Sequence, residues 1–216
     1  MSDDDFDLAD AYAVEPPDDN RDLYARWAAT YESAFIADNG YVYHLGVVES
    51  FVDTASDEDD PVLDVGCGTG LVGVALRATG PWTVDGLDLS AEMLGEARVK
   101  VAGEGDPGYR HLHEGDLTAT LNIPSGTYGA VVSCGTFTHG HVGPTAFDEL
   151  YRITRPGGLF AIGINPDHFT NLGFADRFVD DVAAGRITEP VIRRVNTYEA
   201  GEHAGQLSPV AVFRTL

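Results

Sequence analysis

At 216 residues, 44% of them apolar, the chain can bury one full α/β core, and no apolar run approaches the ~20 residues of a membrane span. Thirteen basic residues against 35 acidic ones leave a net charge of −22, which repels phosphate backbones and argues against nucleic acid or anionic lipid as partners. Lys100 is the single lysine, and such an acid excess suits a salty cell interior, where screening over ~3 Å at molar salt quiets self-repulsion. A high-GC genome that writes Arg for Lys is the alternative. The acidic start Met1-Ser2-Asp3-Asp4-Asp5 is the reverse of a secretory leader, so a cytoplasmic protein is expected. Two cysteines make neither a disulfide framework nor a metal site.

In chain order, residues 1–19 form an acidic tail with Pro16-Pro17 inside it, and the composition of its first ten predicts disorder. A single domain is expected over 20–216. Leu23, Trp27, Ala28 and Tyr31 stand at helical spacing behind Asn20, and a second helix is expected over 41–51, giving a helical cap at 20–55. The acidic loop Ser56–Asp60 follows. From Pro61 short apolar runs alternate with amphipathic ones: strands are expected at 62–65, 83–87, 109–113, 130–134 and 159–164, helices at 71–78, 91–101 and 145–153. That alternation means βαβ units and a parallel sheet covered on both faces, a core at 61–165. The run 166–216 reads as a helix and then a β-hairpin, which implies an antiparallel strand at the sheet edge.

The stretch Pro61–Gly73, "PVLDVGCGTGLVG", holds a G-x-G-x-x-G run from Gly68 to Gly73. In an open α/β sheet such a turn, beyond the carboxyl end of the first strand, is the usual ligand cradle, and glycine lets backbone approach a ligand closely. The pattern alone does not separate a dinucleotide from other nucleosides. "GEGDPG" at Gly103–Gly108 fits it too, yet has no strand before it and reads as a surface loop. Asp64, two residues before Gly66, separates the two readings: a carboxylate facing a pyrophosphate costs energy, whereas it suits an ammonium or sulfonium. Asp88, ending the second strand, is placed to accept from ribose hydroxyls under either reading.

"VLDVGCGTG", "DGLDLSAEML", "EGDL" and "RPGGLF" occur in the order and spacing of the class I S-adenosylmethionine-dependent methyltransferases, which this chain resembles over roughly residues 20–165. "LYARWAATYE" and "SCGTFTHGHVG" are most similar to the small methyltransferases of the Williams–Beuren syndrome chromosome-region type. The resemblance implies a Rossmann-like seven-stranded sheet of order 3-2-1-4-5-7-6 with strand 7 antiparallel, and S-adenosylmethionine as cofactor. By matched motif it implies that Asp64 and the loop Gly66, Cys67, Gly68 and Gly70 hold the methionine part, and that Asp88 binds the ribose. Leu89 and Met93 would flank the adenine, Asp116 would meet its amino group, and Leu117 would pack on the ring. Ser133 and Cys134 would line the methyl-donor end, with Tyr24, Trp27 and Tyr31 closing over the cofactor. Met93, Leu117 and Trp27 could instead be plain packing residues, and Asp88 a helix cap. One departure stands out: the family begins its fourth strand with an aromatic–Asp pair, and here Tyr128 is followed by Gly129.

A sulfonium methyl is already activated, so catalysis is largely alignment, which can supply ~7–11 kcal/mol. A base is needed only for a hydroxyl or protonated-amine acceptor. His139, nearer the strand end than His141, is the candidate base, with Asn165 and His168 as candidate pocket wall. "NPDHF" departs from the N-P-P-aromatic motif of amino-methylating DNA enzymes and follows the wrong strand. Cys67 and Cys134 are expected as reduced thiols beside the cofactor. The expected function is methyl transfer to a small molecule, with no metal assigned and oligomeric state left open. The alternatives are a non-catalytic S-adenosylmethionine-binding module, suggested by Gly129, and an NAD-dependent oxidoreductase.

Overall fold

Val62–Val65 are all buried, with no polar–apolar alternation, as befits a central strand covered on both faces. This strand, β1, is described with its surroundings by a computed structural model covering residues 40–102, 105–137, 142–201 and 203–216. β2 (Val84–Asp88) and β4 (Tyr128–Phe137) flank β1, both parallel to it, with Asp64 opposite Gly86 on one side and Val132 on the other. β3 (His111–Glu114) pairs with β2, and β5 (Thr154–Ile164) with β4, again in parallel. β7 (Leu207–Arg214) runs antiparallel to β5, and β6 (Val191–Asn196) antiparallel to β7 at the edge. The order is therefore β3-β2-β1-β4-β5-β7-β6, as the resemblance implied, and its direction of growth reverses between β1 and β4. A crevice opens there, beyond the strands' carboxyl ends.

Helices cover both faces. On one lie α1 (Tyr43–Val52), α2 (Leu71–Thr79) and α3 (Ala91–Val99), packing Val47, Phe51, Val72, Leu76, Leu94 and Ala97 against the sheet. On the other, α4 (Ala146–Ile153) buries Phe147, Leu150 and Ile153 at i, i+3 and i+6, one helical stripe. Its Phe147 stacks on Phe137 at 5.3 Å and meets Phe174 and Phe178. The last two come from α6 (Phe174–Ala183), which follows the short α5 (Pro166–Asn171). Truncating Phe147, wholly buried, costs about 3–5 kcal/mol on general grounds.

Several expected boundaries shift for physical reasons. β4 runs on to Phe137, past Cys134, through a register shift that turns the chain over the first loop. β3 begins at His111, because Tyr109 is drawn inward beneath the β1–α2 loop. Two helices, not one, precede the hairpin, separated by Gly173 at φ 78°. The "GEGDPG" stretch contributes one arm of a small antiparallel ribbon, Val101–Ala102 against Asp106–Pro107. Of the expected cap, only α1 lies within the described residues.

Candidate cofactor site

β1 ends at Val65, where two hydroxyls on β4 hold its last carbonyl: Ser133 Oγ donates at 2.7 Å and Thr136 Oγ1 at 2.9 Å. The chain then turns through Gly66 at φ 63°, where an added Cβ would sit 1.8 Å from Thr136 Oγ1. Only glycine fits that crossing. Gly66 N and Cys67 N donate to Leu87 O at 2.7 and 3.0 Å, so the loop is laced to the end of β2. Gly68 differs: at φ 51° its missing Cβ would meet nothing within 4 Å, leaving that face of the loop open.

The open face looks into the crevice, which the ends of β1, β2, β3 and β4 share with α1. Asp88 joins the first two walls: its Oδ2 accepts from Gly68 N at 2.8 Å and its Oδ1 from Ser90 N at 2.9 Å. Burial pushes its carboxyl up, opposed by those N–H groups. Ser90, not Asp88, caps α3, its Oγ accepting from Met93 N. Leu89 and Met93 continue the wall, and from the β3 end come Asp116 and Leu117. Asp116 Oδ1 is itself braced by Thr118 N and Oγ1, both at 2.7 Å. Cys67 and Cys134 both line the crevice and are not bonded to each other. Burial pushes the Cys134 thiol up to about 12, and its Sγ lies 3.2 Å from Tyr41 Oη.

Four expected contacts fall elsewhere. Asp64 does not reach the crevice. It is wholly buried beneath the loop, where Tyr109 Oη donates to its Oδ2 at 2.6 Å and its Oδ1 has no partner. Burial, above all, raises its pKa to about 7; the Tyr109 bond opposes this and the Asp88 charge adds to it. Ser133 is turned inward to Val65 O, so it sets the wall rather than lining it. Gly70, at φ 94°, is the N-cap of α2 and packs toward Tyr109. Asn165, proposed for the pocket wall, makes a tight turn at the start of α5 through Asp167 N and does not line the crevice. Tyr24, Trp27, Tyr31, His139 and His141 lie outside the described residues, as does the His168 side chain.

Among the lining residues that sequence reading did not single out are Tyr41, His44 and Thr136. Tyr41 and His44 stack at 5.8 Å, and His44 Nδ1 is buried without a partner, burial lowering the ring's pKa. Their signal was an aromatic and an imidazole three residues apart at a helix start. It could not be told from packing without knowing that α1 meets the β4 end.

The lining decides between the two ligand classes. Among the described residues it carries the carboxylates of Asp88 and Asp116 and no lysine or arginine. A pyrophosphate there would face unscreened like charge, whereas a sulfonium and ammonium would be drawn in. The open Gly68 face, the two carboxylates and the apolar side chains of Leu89, Met93 and Leu117 fit S-adenosylmethionine. Residues 62–158 also match the family model of a methyltransferase domain. Human methyltransferase-like protein 27 is 40% identical over 103 residues, 47% of this chain and 39% of that protein. These matches support a class I S-adenosylmethionine-dependent methyltransferase domain over the matched segment, residues 62–158.

The methyltransferase fold extends beyond the matched segment. A putative S-adenosyl-L-methionine-dependent methyltransferase of Methanococcus maripaludis shares it at a TM-score of 0.60 and 17% identity, over 88% of this chain and 92% of that one. The [4+2]-cyclase SpnF does so at 0.67 and 14%, over 93% and 98%. At such identities the likeness is one of fold. The chain spans about two fifths of the length of the curated relatives it matches, 39% for the human protein.

Gly129, where the methyltransferase family has a carboxylate, sits at the opposite end of β4 from the crevice. A Cβ there would lie 2.2 Å from Arg155 Nη2 and 2.6 Å from the Asp59 carbonyl. Arg155 Nη2 donates to Glu58 O and Asp60 O, and Arg214 pairs with Asp59, so the acidic loop is clamped onto the start of β4. The space a carboxylate would need is filled by that clamp.

Proposed function

We propose that the chain transfers the methyl group of S-adenosylmethionine to a small-molecule acceptor. One observation carries this: a crevice at the switch point of the sheet, walled by glycine backbone and two carboxylates, with no lysine or arginine among its described lining. Bound there, S-adenosylmethionine supplies a methyl on a cationic sulfur, already activated toward displacement. In this reading Gly66 and Gly68 leave room for its amino-acid end, and Asp88 receives the ribose hydroxyls. Asp116 takes the adenine amino group, with Leu89, Met93 and Leu117 enclosing the ring. Cys134, Tyr41 and His44 then border the donor end. Their part is to exclude water and hold the acceptor in line, the effect that alignment makes large. His139, on the segment after β4, remains the candidate base for an acceptor that must lose a proton.

The absence of a carboxylate at Gly129 carries no weight for a non-catalytic module, since that position faces the acidic loop and not the crevice. Methyl transfer is tested by incubating the chain with S-adenosylmethionine and a panel of neutral and cationic hydroxyl and amine acceptors. Acceptor-dependent formation of S-adenosylhomocysteine is expected. Undetectable binding of both nucleosides would contradict the proposal.

A further inference from the structure

Tyr109 lies just before β3 yet is buried under the β1–α2 loop, its ring in a slot that three glycines leave open. A Cβ at Gly70 would be 3.0 Å from the ring, at Gly73 2.3 Å, and at Gly86 3.2 Å. The ring therefore occupies the volume that ordinary residues at those positions would fill. Its hydroxyl is used twice, donating to Asp64 Oδ2 at 2.6 Å and accepting from Gly73 N at 3.1 Å, in the first turn of α2. Asp64 Oδ1 is left buried without a partner. A buried carboxylate with one oxygen unpaired is an incomplete arrangement, which a cation nearby would complete.

We propose that Tyr109 is a positioning residue of the cofactor site, holding the Asp64 carboxylate charged beneath the loop so that it attracts the cationic amino-acid end of the ligand. The proposal rests on the S-adenosylmethionine reading above and adds to it a residue that touches neither cofactor nor acceptor. The groups facing Asp64 are Tyr109 ahead of β3, Cys67 in the loop, Asp88 on β2 and Cys134 on β4. None of them is a cation. The hydroxyl of Tyr109, the Gly73 N–H and the ligand are thus what favour the ionised carboxyl, against burial and the Asp88 charge. Affinity should then rise with pH as Asp64 ionises, through a midpoint near the value of about 7 that this balance sets.

The test is calorimetric titration with S-adenosylhomocysteine at pH 6, 7 and 8, on the full chain and on Tyr109→Phe, Asp64→Asn and the double variant. Tyr109→Phe removes the hydroxyl but keeps the ring, so it should weaken binding about tenfold at pH 7 and move the pH midpoint upward. Asp64→Asn should abolish the midpoint, and adding Tyr109→Phe to it should not restore one. Site-specific 3-fluorotyrosine at position 109, a stronger donor of the same shape, should move the midpoint downward. It serves if Tyr109→Phe does not fold. A uniform loss of affinity with an unmoved midpoint would reduce Tyr109 to packing and overturn the proposal, as would no change at all. If the unaltered chain binds no S-adenosylhomocysteine, the cofactor reading falls first and the proposal with it. Binding without pH dependence overturns the proposal alone.

Discussion

Asp64 and Asp88 are both carboxylates at strand ends, yet their surroundings give them different work. Asp64 has a folded pKa raised to about 7 by burial, against an ordinary 3.8. A raised acid favours folding only while protonated, so this contribution is fully present below pH ~4 and is lost as pH rises through 7. Asp64→Asn is therefore expected to stabilise the unliganded chain at pH 8 by roughly 1–3 kcal/mol, with the gain shrinking toward pH 5. Urea midpoints across that range check it, and a gain independent of pH would contradict it. Asp88 holds the loop at Gly68 N on one oxygen and the start of α3 at Ser90 N on the other, so Asp88→Ala should lower S-adenosylhomocysteine affinity at least tenfold at every pH. Motif spacing placed Asp88, Leu89, Met93, Asp116 and Leu117 on one crevice wall, because each follows a strand end. It misplaced Asp64 and Ser133, because which way a side chain turns at the end of a strand depends on partners far along the chain. For Asp64 that partner is Tyr109, 45 residues on, and for Ser133 it is the carbonyl of Val65, 68 residues back.

Element by element, the parallel strands were legible because central strands are apolar throughout, and the antiparallel β7 was legible from the hairpin spacing. Lengths were less so. β4 outruns its apolar stretch because Thr136 and Phe137 gain partners, one in Val65 O and one in the aromatic cluster on α4 and α6. Nothing local in "SCGTF" announces those contacts. The acidic loop before β1 was read only as charge, whereas it is a short 3-10 turn, Asp57–Asp59, whose Asp59 carboxylate accepts from Ser56 N and pairs with Arg214. Gly129→Asp, which installs the residue typical of the family, should force Arg155 off Glu58 and Asp60 and cost at least about 2 kcal/mol. Thermal unfolding with S-adenosylhomocysteine titration separates the effects: stability falls while affinity stays within about twofold. An unchanged melting temperature would refute the account of why glycine is there.

Across the whole molecule the charge of −22 dominates. Arginines such as Arg110, Arg177 and Arg214 are committed to Asp85, Asp181 and Asp59, leaving the acid excess to repel itself. Salt screens that repulsion, so the melting temperature should rise by several degrees between 0.1 and 2 M KCl. A flat or falling dependence would count against salt adaptation and in favour of coding bias. The same acidity extends into the crevice, where Asp88 and Asp116 stand with no lysine or arginine among the described lining. The most direct measurement is paired calorimetry of the unmodified chain with S-adenosylmethionine and with NAD. Saturable one-site heat from the first and none from the second is the expected result. Binding of NAD with no response to S-adenosylmethionine would contradict the assignment of the crevice.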